Sequence, residues 1–222
     1  MAPQDTDAAA EVVAVATSSI PGEFLVPDLV ERFRAQQPEF SVEVTGTDSA
    51  GVFVALRGGD ADVGFAGVEP DGGDLVAEVV GADEIVLAVP AGHPLDGAAS
   101  VSVAQLAATP LVEREEGSGT RRSFADALAD RGTPLISDQQ WTIRDTNEGL
   151  IEAVAAGEGV GVVSAWALDR HGRDDVRTVR LDGDPIRRCL YLVLRDGGHD
   201  VAGVLAPAAS TFVTLVREHA RG

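Results

Sequence analysis

Short apolar runs alternate with segments of helical periodicity along most of this chain, and this alternation constrains its fold more than any other feature. The first run, Val12 to Ala16, is rich in β-branched residues and ends at the polar Thr17-Ser18-Ser19. From Leu25 to Phe33, apolar residues then recur at the spacing of one helical face. The following segments predict a strand, a helix and a strand, at Phe40 to Thr45, Ser49 to Arg57 and Ala61 to Ala66. This β-α-β-α-β order predicts a parallel sheet with right-handed crossovers.

The second half of the chain repeats the same style. Strands are predicted at Glu84 to Pro90, Leu111 to Arg114, Trp141 to Arg144, Val160 to Ser164, Val176 to Leu181 and Cys189 to Arg195. Helices are predicted at Ser123 to Arg131, Asn147 to Ala156 and roughly Val204 to Ala220. No Pro-rich or Ser-rich linker separates the halves, so two α/β halves that share two or more crossing segments are expected.

Charge excludes one class of partner. The 222 residues carry a formal net charge of −19, and every basic side chain apart from histidine is arginine. Nucleic acid repels such a surface, and the pairs Arg121-Arg122 and Arg187-Arg188 are too short to form a basic patch, so no direct nucleic-acid binding is expected. Acidity without lysine predicts a protein of a high-salt cytoplasm, and incidental acidity from a GC-rich genome is the simpler alternative.

Cellular location is predicted from what the sequence lacks. Cys189 is the single cysteine and excludes an internal disulfide. Residues 1–7 have neither the basic start nor the apolar stretch of a secretory signal, and no run reaches membrane-spanning length. A cytoplasmic protein without membrane contact is therefore expected, although trimming of an export signal stays open.

Three turns are built alike, each after a strand and before a helix, and each rich in hydroxyl, amide or glycine residues: Thr17-Ser18-Ser19, Gly117-Ser118-Gly119-Thr120 and Asp145-Thr146-Asn147. Ligands of open parallel sheets bind at the carboxyl ends of strands, where N–H groups of helix N-termini point outward. The turns therefore predict a cleft for a small anion or carboxylate. The simpler alternative is that these residues cap their own helices, as Asp145 with Glu148 would in a capping box.

Catalytic and cofactor sites are not predicted. The four histidines, His93, His171, His199 and His219, have no metal-ligand spacing. Gly157 to Gly161 is glycine-rich but follows a helix and enters a strand, the reverse of the order that a dinucleotide site requires. Glu115 and Glu116 precede the second turn, where they either face solvent or bind an amine or cation. We expect no enzyme, no metal and no cofactor.

Several segments carry a family resemblance. Ala16 to Pro27 is similar to the opening of effector-binding domains of LysR-type transcriptional regulators. Further segments agree in order and spacing: Gly59 to Phe65, Val89 to Leu95, Arg114 to Arg121 and Gly157 to Ser164. The likeness spans residues 11 to about 218.

The resemblance implies an α/β fold of the type II periplasmic-binding-protein kind, with two Rossmann-like lobes and a ligand cleft between them. It implies a first lobe at residues 11–86 plus 197–222 and a second at 87–196. The implied ligand contacts are Ser18, Ser19, Gly117, Ser118, Gly119, Thr120, Thr146 and Asn147.

The implied function is an effector sensor for a small molecule, most simply an oxyanion or carboxylate. Solute binding for an ABC-type anion transporter and an enzyme that uses the same cleft are alternatives. The family's winged helix-turn-helix is missing from this sequence, so DNA binding is not carried over. Either the chain is a stand-alone sensor that acts through a DNA-binding partner chain, or it is a fragment of a longer regulator. Pairing as a homodimer also stays open.

Overall fold

The computed structural model describes residues 11–135, 141–197 and 205–221. Its strands are β1 (Val12–Ser18), β2 (Ser41–Thr47), β3 (Val63–Ala66), β4 (Leu75–Pro90), β5 (Ser100–Val101), β6 (Leu111–Arg114), β7 (Trp141–Arg144), β8 (Val160–Ser164), β9 (Val176–Leu181) and β10 (Ile186–Arg195). Its helices are α1 (Ser19–Phe24), α2 (Val26–Gln36), α3 (Ser49–Gly58), α4 (Val103–Ala107), α5 (Gly119–Asp130), α6 (Asn147–Ala155), α7 (Ala165–His171) and α8 (Pro207–His219).

One sheet path joins most of the described strands, in the order β2-β1-β3-β10-β4-β8-β6-β7, with β9 paired to β4 and β5 to β9. The long strands β4 and β10 pair antiparallel in the middle of this path. We call β1 to β3 with α1 to α3 and α8 the first lobe, and β5 to β9 with α4 to α7 the second lobe. The strands β4 and β10 belong to both lobes and connect them.

Parallel pairing places the predicted turns at strand ends. In the first lobe, β1 pairs parallel with β2 and β3. In the second lobe, β6 pairs parallel with β7 and β8. A helix follows each of the strands β1, β2, β6 and β7. Because the strands of each lobe are parallel, the strand-to-helix turns of that lobe lie together at the carboxyl ends of its strands.

Apolar burial forms the core of each lobe and also joins the two. Phe33 and Phe65 pack edge-on against Phe212 of α8 in the first lobe. Ile20 of α1 instead joins the buried cluster of the second lobe that contains Val86 and Ile151. Helix α1 belongs to the first lobe but packs on the second lobe through Ile20, so its position depends on how closely the two lobes approach each other.

Several element predictions need correction. The strand predicted from Glu84 begins nine residues earlier, at Leu75, because it pairs with β10 along most of its length. The first predicted helix is two helices, with Leu25 at the junction. Helices α4 and α7 were not predicted. The glycines from Gly157 do end α6 and precede β8, as expected, and Gly157 has a φ of +80°.

Some predictions remain outside what the structure tests. The lobe boundary between residues 86 and 87 falls inside β4, and the division of the chain into lobes at that point stays a prediction. His199, the predicted helix start at Val204 and residues 1–7 lie outside the described residues. Within the described parts of the chain, no helix is long and apolar enough to cross a membrane.

Candidate functional site

A cavity of about 580 Å³ lies between the two lobes, and we call it the front cavity. The first lobe contributes the end of β1, the start of α1, and the end of β2 with the residue that precedes α3. The second lobe contributes the end of β6 and the turn between β7 and α6. Its lining consists of Thr17, Ser18, Ser19, Gly22, Glu23, Val44, Gly46, Thr47, Asp48, Arg114, Glu115, Asp145 and Thr146.

Ser18 and Ser19, the two predicted ligand contacts of the first lobe, both line the front cavity. Ser18 is the last residue of β1 and is 5% exposed. It occupies the N-cap position of α1, yet its side chain makes no capping hydrogen bond. The capping alternative therefore does not describe Ser18, whose hydroxyl is left for other partners.

Arg114 organises the second-lobe wall of the cavity, and its role was not predicted. Its Nε and Nη2 donate to the two carboxylate oxygens of Glu115, at 2.8 and 2.9 Å. Nη1 donates to Asn147 Oδ1 at 2.6 Å and to Ser19 Oγ at 3.3 Å, and Nη2 also donates to the Asp145 carbonyl at 2.9 Å. A guanidinium has five N–H groups, so every one of them has a partner within the protein.

The third predicted turn divides between lining and support. Thr146 lines the front cavity and accepts a hydrogen bond from the Gly149 N–H at 3.0 Å. Thr146 is thus the N-cap of α6, and the capping box predicted for Asp145 with Glu148 is wrong because the helix begins one residue later. Asn147 is buried behind the wall, where its Nδ2 donates to Glu23 Oε1 at 2.9 Å.

The second predicted turn does not line the front cavity. Gly117 lies against the first lobe so closely that a Cβ there would overlap the carboxylate of Asp48. A Cβ at Gly119 would lie 2.8 Å from Ser49 Oγ. Ser118 and Thr120 are buried next to this contact. The turn therefore closes the cleft by packing on the N-terminus of α3.

Carboxylates outnumber guanidinium groups around the front cavity. Glu115, expected either in solvent or against a cation, pairs with Arg114, while Glu116 is exposed. Glu23, Asp48 and Asp145 also belong to the lining. With Arg114 already fully hydrogen-bonded, hydroxyl groups are the donors that a ligand meets first.

A buried ion pair joins the two connecting strands. Arg188 of β10 and Asp83 of β4 are register partners, with Nη2 to Oδ2 at 2.7 Å and Nε to Oδ2 at 3.0 Å. Ser164 donates to the other Asp83 oxygen at 3.0 Å. Burial lowers the pKa of Arg188, Asp83 raises it, and nearby Arg114 lowers it. The sequence showed Arg188 only as half of a short basic pair.

Side chains on the outer surface also hold the lobes together. Phe24 of α1 faces Trp166 of α7, with ring centroids 5.9 Å apart. The Arg170 guanidinium lies 4.4 Å from the centre of the Phe24 ring, and it donates to the Glu23 carbonyl at 2.7 Å. These contacts join α1 of the first lobe to α7 of the second lobe. No three His, Cys, Asp or Glu residues come together as a metal site in the described ranges.

Comparison with known proteins gives a consistent result. The family model of the LysR substrate binding domain matches residues 7–221. The HTH-type transcriptional regulator CbbR of Rhizobium meliloti is 32% identical over 197 residues, which are 88% of this chain and 60% of that protein. The phosphonates import ATP-binding protein PhnC of Anaeromyxobacter dehalogenans is 37% identical over 205 residues, 91% of this chain and 40% of that protein.

A solved structure agrees in fold. The regulatory domain of Synechocystis PCC6803 CcmR in complex with 2-PG superposes with a TM-score of 0.80 at 21% identity, covering 96% of this chain and 98% of that one. The predicted two-lobed α/β fold is confirmed by this likeness and by the family match. The chain spans 60% of the length of CbbR and 40% of PhnC, so those proteins contain further parts.

Proposed function

This chain belongs to the LysR substrate binding domain family, and from that premise we propose that it senses a small acidic molecule held between its lobes. Domains of this family bind small-molecule effectors for transcription regulation and are not enzymes, as expected from the sequence.

One observation carries the proposal: the front cavity is lined by hydroxyl groups from both lobes. Ser18 and Ser19 come from the first lobe and Thr146 from the second. A ligand that contacts all three favours the closed arrangement, because neither lobe alone completes the set. Differential affinity for closed over open lobes is what allows a ligand to shift such an equilibrium.

The proposed ligand class is a small carboxylate or oxyanion that also carries hydroxyl groups. Hydroxyl side chains donate to anionic oxygens, as Ser18 is free to do. The carboxylates of Glu23 and Asp48 accept hydrogen bonds and so suit the ligand's own hydroxyl groups. The 2-PG complex of the CcmR regulatory domain is consistent with a ligand in this fold.

The remaining predicted contacts have indirect roles in this proposal. Asn147 positions Glu23 and Arg114 from behind the wall, and Gly117, Ser118, Gly119 and Thr120 form the contact that closes the lobes. They remain proposed ligand contacts only for an open arrangement, in which the second turn separates from α3.

A thermal titration tests the proposal. Hydroxy acids, simple carboxylates, phosphate, sulfate and molybdate are added separately, and the melting temperature is followed at high salt. A ligand at about 100 times its Kd adds about 2.7 kcal/mol to the free energy of unfolding. A hydroxy acid should raise the melting temperature of the wild type more than that of Ser18→Ala. If no compound on the panel raises it, the proposed ligand class is wrong.

A second candidate function has its own support. The 37% identity with a protein named for phosphonate import favours a solute-binding role beside an anion transporter. Phosphonates in the same titration distinguish the two, because a transport component should prefer them to hydroxy acids. A permease gene next to this one would point the same way.

We also propose where the sensor acts and how its ligand signal is passed on. We expect a cytoplasmic protein whose ligand signal passes to a DNA-binding region on the same or a partner chain, and which pairs as a homodimer. The strand β2 supports pairing, because it lies at one end of the sheet path of the described strands. A high-salt origin predicts that the melting temperature rises with added potassium chloride, since salt screens the −19 net charge.

A further inference from the structure

A second cavity, of about 370 Å³, lies on the other side of the contact between Gly119 and the first lobe, and we call it the rear cavity. It shares no lining residue with the front cavity. Gly67 separates the two, because its N–H donates to Ser49 Oγ at 3.4 Å and a Cβ at Gly119 would lie 3.4 Å from the Gly67 backbone. The residues that line the rear cavity therefore take no part in the ligand site proposed for the front cavity.

Arg188 forms the buried end of the rear cavity. Its side chain is 4% exposed, and both of its hydrogen bonds, from Nε and Nη2, go to one oxygen of Asp83. Nη1 has no hydrogen-bond partner among the described residues. It points toward Gly67, where a Cβ would lie 3.1 Å away. Gly67 also lines the rear cavity, so this guanidinium N–H is placed to donate to the oxygen of a ligand there.

The rest of the lining selects among possible ligands. Glu69, Asp126 and Asp130 are exposed at the mouth, which disfavours an ion with several negative charges. Val68 and Ala127 supply apolar surface. Tyr191 also lines the cavity, and burial together with Cys189 and Glu69 raises the pKa of its hydroxyl to about 12, so the group stays uncharged at neutral pH.

We propose that the rear cavity is a second ligand site, which takes a small monocarboxylate whose oxygen accepts a hydrogen bond from Arg188 Nη1. The carboxylate oxygen lies beside Gly67, in the space that a side chain there would fill. The apolar part of the ligand lies against Val68 and Ala127. This site is independent of the hydroxyl groups proposed to hold the effector in the front cavity.

Substitution at Gly67 tests the site without touching the ion pair. Gly67→Ala places a methyl group next to Arg188 Nη1 and should weaken binding of acetate or benzoate roughly tenfold or more. Gly73→Ala is the matched control, because a Cβ there meets no atom within 4 Å. Ser18→Ala, in the front cavity, should leave the affinity measured at the Arg188 guanidinium unchanged, even if it weakens carboxylate binding in the front cavity. Unaltered affinity at Arg188 in a folded Gly67→Ala protein would overturn the proposal.

A second measurement uses the unaltered protein. Acetate, benzoate and inorganic phosphate are titrated separately up to their solubility limits, and the guanidinium nitrogen signals of Arg188 are followed by NMR. Acetate or benzoate should shift the Arg188 Nη1 signal and leave Arg114, with its five engaged N–H groups, in place. No shift with either carboxylate, or a shift with phosphate alone, would contradict the assignment.

Discussion

Two buried arginines lie between the lobes, and they use their donors differently. Arg114 directs all five N–H groups to Glu115, Asn147, Ser19 and the Asp145 carbonyl. Arg188 directs its hydrogen bonds to a single oxygen of Asp83 and leaves Nη1 without a partner in the described residues. The first arginine holds protein groups in place, whereas the second retains a donor for something else.

The difference follows from where each carboxylate partner lies. Glu115 is the chain neighbour of Arg114 and meets its guanidinium with both oxygens. Asp83 approaches Arg188 from the neighbouring strand and gives its second oxygen to Ser164. A buried arginine is therefore not by itself evidence of ligand binding. The number of its N–H groups that already have protein partners decides whether it holds protein groups in place or keeps a donor for a ligand.

The largest expected effect is on stability at the connecting strands. Arg188→Met leaves the Asp83 carboxylate buried without its counter-charge and should lower the free energy of unfolding by about 3–5 kcal/mol. Arg144→Met breaks a half-exposed pair with Glu158 and should cost no more than about 1 kcal/mol. Urea unfolding of both variants measures the contrast, and equal losses would remove the distinction between the two pairs.

Arg114→Lys is expected to have the next largest effect. An ammonium group has three donors in place of five, so Ser19, Asn147 or the Asp145 carbonyl loses its partner. The loss of a charged hydrogen bond predicts a decrease of about 1.5–3 kcal/mol in the free energy of unfolding. Affinity for the front-cavity ligand should fall as well, while carboxylate binding at Arg188 persists. Retained front-cavity affinity would show that Arg114 does not position the wall.

A smaller effect separates capping from ligand binding. Thr146→Ala removes the N-cap of α6 and should lower the free energy of unfolding by about 1 kcal/mol. Ser18→Ala removes a hydroxyl that caps nothing and should change it by less than about 0.5 kcal/mol. Calorimetry and ligand titration of both variants are the measurements. A loss of stability without a loss of affinity in Ser18→Ala would return Ser18 to a structural role.

The smallest expected effect depends on pH. Burial raises the pKa of Glu113, and Arg121 only partly offsets this. Because the folded state holds this proton more tightly than the unfolded chain, the contribution of Glu113 to stability increases as pH falls from neutral toward 4.5. Glu113→Gln should therefore raise the melting temperature at neutral pH, and the advantage should shrink on acidification. An advantage that grows at low pH would contradict the direction of the shift.

Much of the fold was predictable because local patterns agree with it. The strand–turn–helix units of both halves, and strands such as β1 and β8, follow apolar runs that are bounded by polar or glycine residues. The first half of β4 was not predictable from the sequence, because its residues from Val76 to Val79 are partly exposed and depend on pairing with β10. Pairing between strands a hundred residues apart leaves no local signal.

The candidate site was predictable only in part. Ser18, Ser19 and Thr146 follow strands, and strand ends converge in such folds. Arg114 and Arg188 were missed because an arginine within a strand gives no indication of whether its guanidinium is buried or what it meets. The placement of Gly117 to Thr120 against α3 depends on how far the lobes close, which short-range sequence patterns do not contain.

A crystal structure with the most stabilising hydroxy acid tests most directly whether the ligand binds across the two lobes. Ligand density is expected in the front cavity, with oxygen atoms within hydrogen-bond distance of both Ser18 and Thr146. Density confined to one lobe, or bound outside the cleft, would contradict it.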